Sequence, residues 1–140
     1  MSHVVTLQIN LTSMLIVCKA LDFLGLPYSK DADVRLWDLE KIHSQIVIDL
    51  ENYDIGLSLE NGKVKMVADD MAFYSLQDFP VIKSYINKKT HFICKETFAN
   101  ILSQAYSIVK AREVAMKLGH QMHISAPDES GVVHARVVTA

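Results

Sequence analysis

The pair Asn61-Gly62 constrains the fold of this chain more than any other feature, because it stands between two stretches of alternating apolar and polar residues. Both central residues of a type I′ turn need a positive φ, so the pair predicts a two-residue β-hairpin turn. The turn fixes the strand register outward from Glu60 opposite Lys63. Since successive side chains point to opposite faces of a strand, one face is expected to belong to the core. That face carries Leu57, Leu59, Val64 and Met66.

A possible row of carboxylates follows from the same register, which places Asp54 opposite Asp69 on the other face. Directly opposed like charges destabilise a sheet. If residues 51–52 form a second tight turn, Asp49 falls beside Asp54, and three carboxylates cross three neighbouring strands about 5 Å apart. Such a row calls for Mg²⁺, Mn²⁺ or Ca²⁺, for a partner's Lys or Arg, or for a shared proton. In the alternative reading the strands fray, the acids splay into water, and Asp69 or its neighbour caps a turn.

The remaining patterns predict an α+β fold in the order β-α-β-β-β-(α)-α-β-β. A single antiparallel sheet of about five to six strands is expected to carry two main helices on one face. The 140 residues fit one domain, residues 1–140, with an insertion at about 78–93. The predicted strands lie at 5–11, 43–50, 55–60, 63–69, 121–125 and 132–138, and the predicted helices at 14–25 and 95–118, with a short helix after Asp78. Residues 28–41 form a polar connection that could contain a short strand at 34–37.

The first predicted helix is unusually apolar, because only Lys19 and Asp22 interrupt its surface. A helix with so little polar surface is either deeply buried in the core or covered by another protein or a second copy of the chain. In the second case the covered surface would include Leu15, Ile16, Lys19 and Asp22.

Two histidines in the closing strands suggest a second candidate site. A four-residue loop at 127–130 would pair Ile124 with Val133 and His123 with His134. Paired imidazoles could bind a metal or change charge near neutral pH. The alternative is two exposed surface histidines.

Other features bear on function mainly by exclusion. The sequence contains no phosphate-loop, GxGxxG, GxSxG or CxxC motif, so it predicts no catalytic residues and no cofactor apart from a divalent metal. Tyr106 and Arg112, with Lys110, could form a basic-aromatic patch for a nucleotide or phosphate, or simply a solvated helix face. The net charge of −2 argues against non-specific nucleic-acid binding. No signal peptide or apolar run of ~20 residues is present, so a cytoplasmic protein is expected.

Three longer stretches carry a family resemblance: "NYDIGL" from residue 52, "NGKVKMVAD" from residue 61 and "QAYSIVKAREVAMKLG" from residue 104. Together with the opening "MSH" before a strand, they resemble the hypothetical chloroplast reading frame thirty-five family, with members in plastids, cyanobacteria, other bacteria and some phages. The resemblance covers most of the chain and is weakest at residues 28–41 and 78–93. The matching residues include Tyr53, Asp54, Gly56, Gly62, Asp69 and Tyr106.

The resemblance implies no activity and no catalytic residues. It implies an accessory role or, for a phage member, action on a host protein or sequestration of a host signal molecule. The apolar "MLIVC" of the first helix departs from the family and favours a partner surface specific to this protein.

Taken together, the sequence favours a small non-enzymatic binding or adaptor protein that self-associates or docks a partner protein. The second hypothesis is a small-ligand or divalent-metal binder that uses the acidic row on the open sheet face. A metal-dependent hydrolase built on Asp49, Asp54 and Asp69 ranks third, because no general base accompanies the three acids.

Overall fold

The computed structural model describes residues 4–37, 41–86 and 93–139. The strands are β1 (Val4–Ile9), β2 (Tyr28–Val34), β3 (Ile42–Ile48), β4 (Ile55–Glu60), β5 (Lys63–Asp69), β6 (Gln121–Ile124) and β7 (Ala135–Val138). The helices are α1 (Met14–Leu24), α2 (Pro80–Lys83), α3 (Lys95–Lys117) and a 3₁₀ helix over Asp70–Asp78. The predicted α+β class with an antiparallel sheet is confirmed.

Five strands form the main sheet in the order β1-β5-β4-β3-β2, with antiparallel neighbours throughout. The last two strands, β6 and β7, pair with each other in a second small sheet instead of joining the first. The second strand was predicted at 34–37 and lies at Tyr28–Val34. It was missed because an edge strand that carries Lys30, Asp31 and Asp33 lacks the apolar alternation that marks a strand.

The central hairpin has the predicted register. Glu60 lies opposite Lys63, and Asn61 and Gly62 have φ angles of 53° and 78°, as a type I′ turn requires. One core-face expectation is wrong, because Leu59 is 39% exposed. The paired residues of β3 and β4 extend only as far as Leu57, so Leu59 lies beyond the part of β4 that β3 flanks.

The main core lies between the sheet and the pair α1 and α3. The side chain of Ser13 caps α1 by accepting the N–H of Ile16, and Gly25 ends the helix in the left-handed conformation. The buried residues of α1 are Val17, Cys18, Ala20, Leu21 and Leu24. Burying one such large aliphatic side chain stabilises the fold by about 1.5–3 kcal/mol. The apolar surface of α1 is therefore mostly core. In the described ranges no helix is long and apolar enough to cross a membrane.

Candidate functional site

The second face of the sheet, opposite the helices, is covered by a fold-back of the β2–β3 hairpin. Asp31 interrupts β2 with a φ of 50°. On β3, the backbone pairing with β4 ends at Ile46, and side-chain hydrogen bonds take its place at Gln45. The Gln45 N–H donates to Ser58 Oγ at 3.1 Å, and the Gln45 Oε1 accepts the N–H of Leu59 at 2.8 Å. Beyond these points the distal half of the hairpin, residues 32–37 and 42–45, leaves the plane of β4. We call this part the folded-back arm.

Gly56 is the point over which the folded-back arm passes. It lies opposite Val47 and Val67, so its missing side chain would project onto the second face. A Cβ there would sit 2.5 Å from Val34 Cγ2 and would also collide with Ser44 Oγ. The small apolar cluster that results consists of Val34, Leu36, Val47 and Val67.

Asp54 anchors the folded-back arm. Its carboxylate accepts the backbone N–H of Arg35 at 2.9 Å and the Arg35 Nε and Nη2 at 2.9 and 2.8 Å, and its own N–H donates to the Arg35 carbonyl at 3.2 Å. Arg35 Nη2 also donates to the carbonyl of Leu50. The hydrogen bonds that its side chain donates to Asp54 raise the pKa of Arg35. Asp54 is almost fully buried, and a buried carboxylate needs a positively charged partner. The guanidinium of Arg35 is that partner.

Asp69 is the second anchor and is equally buried. Its Oδ2 accepts the backbone N–H of Trp37 at 3.3 Å, and its Oδ1 accepts the N–H of Met71 at 3.0 Å. The latter bond caps the 3₁₀ helix. Asp69 therefore acts as a turn cap, as the alternative reading of the sequence expected. The same reading placed the acids in water, which is wrong because Asp54 and Asp69 are both buried.

The predicted row of carboxylates is not brought together as a metal site. Asp49 accepts a hydrogen bond from Ser29 Oγ at 2.8 Å, while Asp54 and Asp69 hold the arm. Among the described residues no group of three or more His, Cys, Asp or Glu side chains is placed to hold a metal ion. The negative charges of Asp54 and Asp69 are instead stabilised by Arg35 and by backbone N–H groups of the same chain. Sequence reasoning missed Arg35 because it treated residues 28–41 as a polar connection.

Four large side chains, three of them exposed and Tyr53 half-buried, lie on the segments next to Asp69. Trp37 is 61% exposed, and its ring meets that of Tyr53 edge-on, with centroids 6.4 Å apart. Val4 lies directly opposite Asp69 on β1, and Met71 follows it on the 3₁₀ helix; both are more than a third exposed. We call Val4, Trp37, Tyr53 and Met71 the aromatic surface. It lies where the arm, β1 and the 3₁₀ helix meet.

The predicted histidine pair does not form. His123 lies opposite Arg136, and Ile124 lies opposite Ala135, so the register is shifted by two residues. The cause is a longer loop, in which Asp128 accepts the N–H groups of Ser130 and Val132.

His134 belongs to that loop. Its ring Nε2 lies 3.1 Å from Asp128 Oδ2, and its backbone N–H donates to Ser125 Oγ at 2.9 Å. His123 and His134 are both exposed, which agrees with the simpler reading of the sequence.

The other secondary candidates do not form a joint patch. Tyr106 is buried, and its hydroxyl accepts the backbone N–H of Ser13 at 3.1 Å, so it supports the start of α1. Arg112 is half-buried, and its guanidinium carbon lies 5.5 Å from the centroid of the Phe23 ring.

The partner-surface candidates on α1 differ in their exposure and contacts. Leu15 is 65% exposed, whereas Ile16 is partly buried against the core. Lys19 pairs with Glu113 of α3, and Asp22 is exposed. Leu15 is thus the one large apolar residue of α1 that is left largely in water.

No family model, curated protein or solved structure matches this chain. The resemblance to the hypothetical chloroplast reading frame thirty-five family therefore stays a prediction. The function proposed below depends on the chain's own residues.

Proposed function

We propose that this protein is a small non-enzymatic binding protein of the cytoplasm that self-associates through the edge strand β1 and the adjoining aromatic surface. The accessory role implied by the family resemblance belongs to the same proposal. The observation that carries it is the position of a highly exposed, anchored Trp37 beside an edge strand that contains no charged residue.

The two edges of the main sheet differ in a way that favours β1. Native proteins guard edge strands with charges, prolines or bulges, because an open edge pairs readily with another strand. The β2 edge carries Lys30, Asp31 and Asp33, and Asp31 distorts it. By contrast, β1 reads VVTLQI over six regular residues. Two copies related by a two-fold axis could pair their β1 strands antiparallel without opposing like charges.

The aromatic surface adds side chains of the kind that dominate protein interfaces. Trp, Tyr and Arg are enriched at positions that contribute most to binding energy, and Met is enriched at interfaces generally. Arg35 lies two residues before Trp37, and its side chain is half exposed even while it binds Asp54. Because Asp54 and Asp69 fix the backbone around Trp37, little ordering is needed on binding.

Light scattering and Trp fluorescence test this proposal directly. Trp37 is the only tryptophan, so its emission reports on the aromatic surface without a label. With rising protein concentration we expect the mass to move from 15.7 kDa towards twice that value, while the emission shifts to shorter wavelength. Thr6→Lys and Trp37→Ala should each weaken association at least tenfold. Ser29→Lys, which adds the same charge on β2, is the control and should leave it unchanged.

A mass of one chain at every concentration, with constant Trp37 emission, would show that self-association is wrong. The alternative is then a different protein partner at the same surface. It predicts that wild-type bait retains a protein from lysate that Trp37→Ala bait loses.

A further inference from the structure

A groove remote from the aromatic surface lies where α1, α2 and α3 meet the loop after β6. Its volume is about 460 Å³, within the range of roughly 300–1,000 Å³ that is usual for small-molecule sites. Its lining is mainly apolar and includes Phe23, Val81, Tyr85, Ile124 and Val133. Arg112 is the one charged side chain among the described residues that line it.

The charge of Arg112 has no acidic partner within the described part of the chain. The carboxylate next to it in sequence, Glu113, pairs with Lys19 instead. In the described ranges no other carboxylate lies within salt-bridge distance of Arg112. The Arg112 guanidinium carbon lies 5.5 Å from the centroid of the Phe23 ring, a cation–π contact that holds the guanidinium at the wall of the groove.

We propose that this groove binds a small monocarboxylate with an apolar body of about ring size. A planar guanidinium matches a carboxylate through two parallel N–H···O bonds, which an ammonium cannot make. A single cation suits a single negative charge better than a phosphate dianion. The apolar walls formed by Val81, Ile124 and Val133 would cover the rest of such a ligand, since burying apolar surface is favourable.

This inference is independent of the proposed self-association, because the two surfaces share no residue. The test is a calorimetric titration of 2-naphthoate into the full chain, with neutral 2-naphthamide as a matched comparison. We expect saturable binding of naphthoate in the high-micromolar range and at least tenfold weaker binding of the amide. Trp37 emission should not change on binding.

Variants of α3 identify the group that binds the carboxylate. Arg112→Gln should weaken naphthoate binding at least tenfold, and Arg112→Lys should be intermediate because it keeps the charge but loses the fork. Lys110→Gln removes an exposed charge of the same helix that does not line the groove and should leave binding unchanged. Thermal midpoints confirm that each variant is folded.

Three results would each overturn the inference. They are no saturable binding of naphthoate to the wild-type chain, binding to folded Arg112→Gln within twofold of wild type, and equal affinity for the acid and the amide.

Discussion

Two segments of this chain are held by aspartate carboxylates that accept backbone N–H groups. The carboxylates that hold the first segment are buried, whereas the carboxylate that holds the second is exposed. Asp54 and Asp69 hold the folded-back arm from almost fully buried positions. Asp128 holds the loop between β6 and β7 from the surface, with 43% of its side chain exposed. Water competes for hydrogen bonds at the surface, whereas a buried group that loses its partner costs its full desolvation. The same local chemistry is therefore expected to contribute unequally to the stability of the protein.

The largest effect is expected from Asp54→Ala. The change removes the acceptor for the Arg35 backbone and guanidinium and should lower the free energy of unfolding by about 3 kcal/mol. Denaturant unfolding measures it. Asp49→Ala is the matched control, since Asp49 makes one exposed bond to Ser29 and should change stability by less than about 0.5 kcal/mol. Equal effects of the two variants would contradict a special role for the buried anchor.

The next largest effect is expected from Gly56→Ala. The new Cβ would lie 2.5 Å from Val34 Cγ2, so the arm must shift, at a cost of about 2 kcal/mol. Adding Val34→Ala removes the nearby methyl group, and the double variant should lose clearly less stability than the sum of the two single variants. Additive losses in this cycle would mean that the Val34 side chain does not press on Gly56.

The exposed anchor should give a local, pH-dependent effect. Hydrogen bonds from the N–H of Val132, the His134 ring and the N–H of Ser130 lower the pKa of Asp128 below its ordinary value of 3.8. Because the folded-state pKa is the lower one, Asp128 stabilises the loop above pH 3.8 and loses this effect as the pH falls through the folded-state value. Carbon-13 NMR titration of the carboxyl group should show the lowered pKa.

Asp128→Asn extends the same test. It should increase amide exchange at Ser130 and Val132 while leaving the global unfolding midpoint almost unchanged. A midpoint loss as large as that of Asp54→Ala would show that exposure does not separate the two anchors.

The smallest effect is expected from divalent metals. Arg35 and backbone N–H groups already bind the carboxylates of Asp54 and Asp69. We therefore expect the same thermal midpoint with Mg²⁺, Mn²⁺ or Ca²⁺ as with a chelator. A site occupied at a hundred times its dissociation constant would add about 2.7 kcal/mol, or several degrees. A rise of that size, lost in Asp54→Asn, would restore the metal-binding hypothesis.

The features that local rules govern were predictable from the sequence. The turn at Asn61-Gly62 set the register of β4 and β5, and the first helix, predicted at 14–25, lies at Met14–Leu24. In the same way, the length of α3 followed from its continuous pattern, and the structure ends it at Lys117. Each of these features depends on backbone preferences within a few residues.

The features that failed depend on contacts between distant parts of the chain. The β4–β5 register was predicted correctly, but the pairing of Asp54 with Arg35 was not, because Arg35 lies 19 residues away and reaches Asp54 only when the hairpin folds back. Similarly, the β6–β7 register changed because Asp128 organises a longer loop. Hydrophobic periodicity predicts neither interaction, because it reports only on local secondary structure.

The fold-back of the β2–β3 hairpin also has a consequence for the order of folding. Its anchors lie just before β4 and at the end of β5, and Trp37 and Asp69 are 32 residues apart in the chain. The arm can therefore close only after the central hairpin exists. Until it closes, Val47 and Val67 face water on a sheet whose β1 edge carries no charge. Such a surface invites neighbouring unfinished chains to aggregate. We therefore expect a slow-closing variant such as Gly56→Ala to precipitate during refolding at protein concentrations where the wild-type chain stays clear.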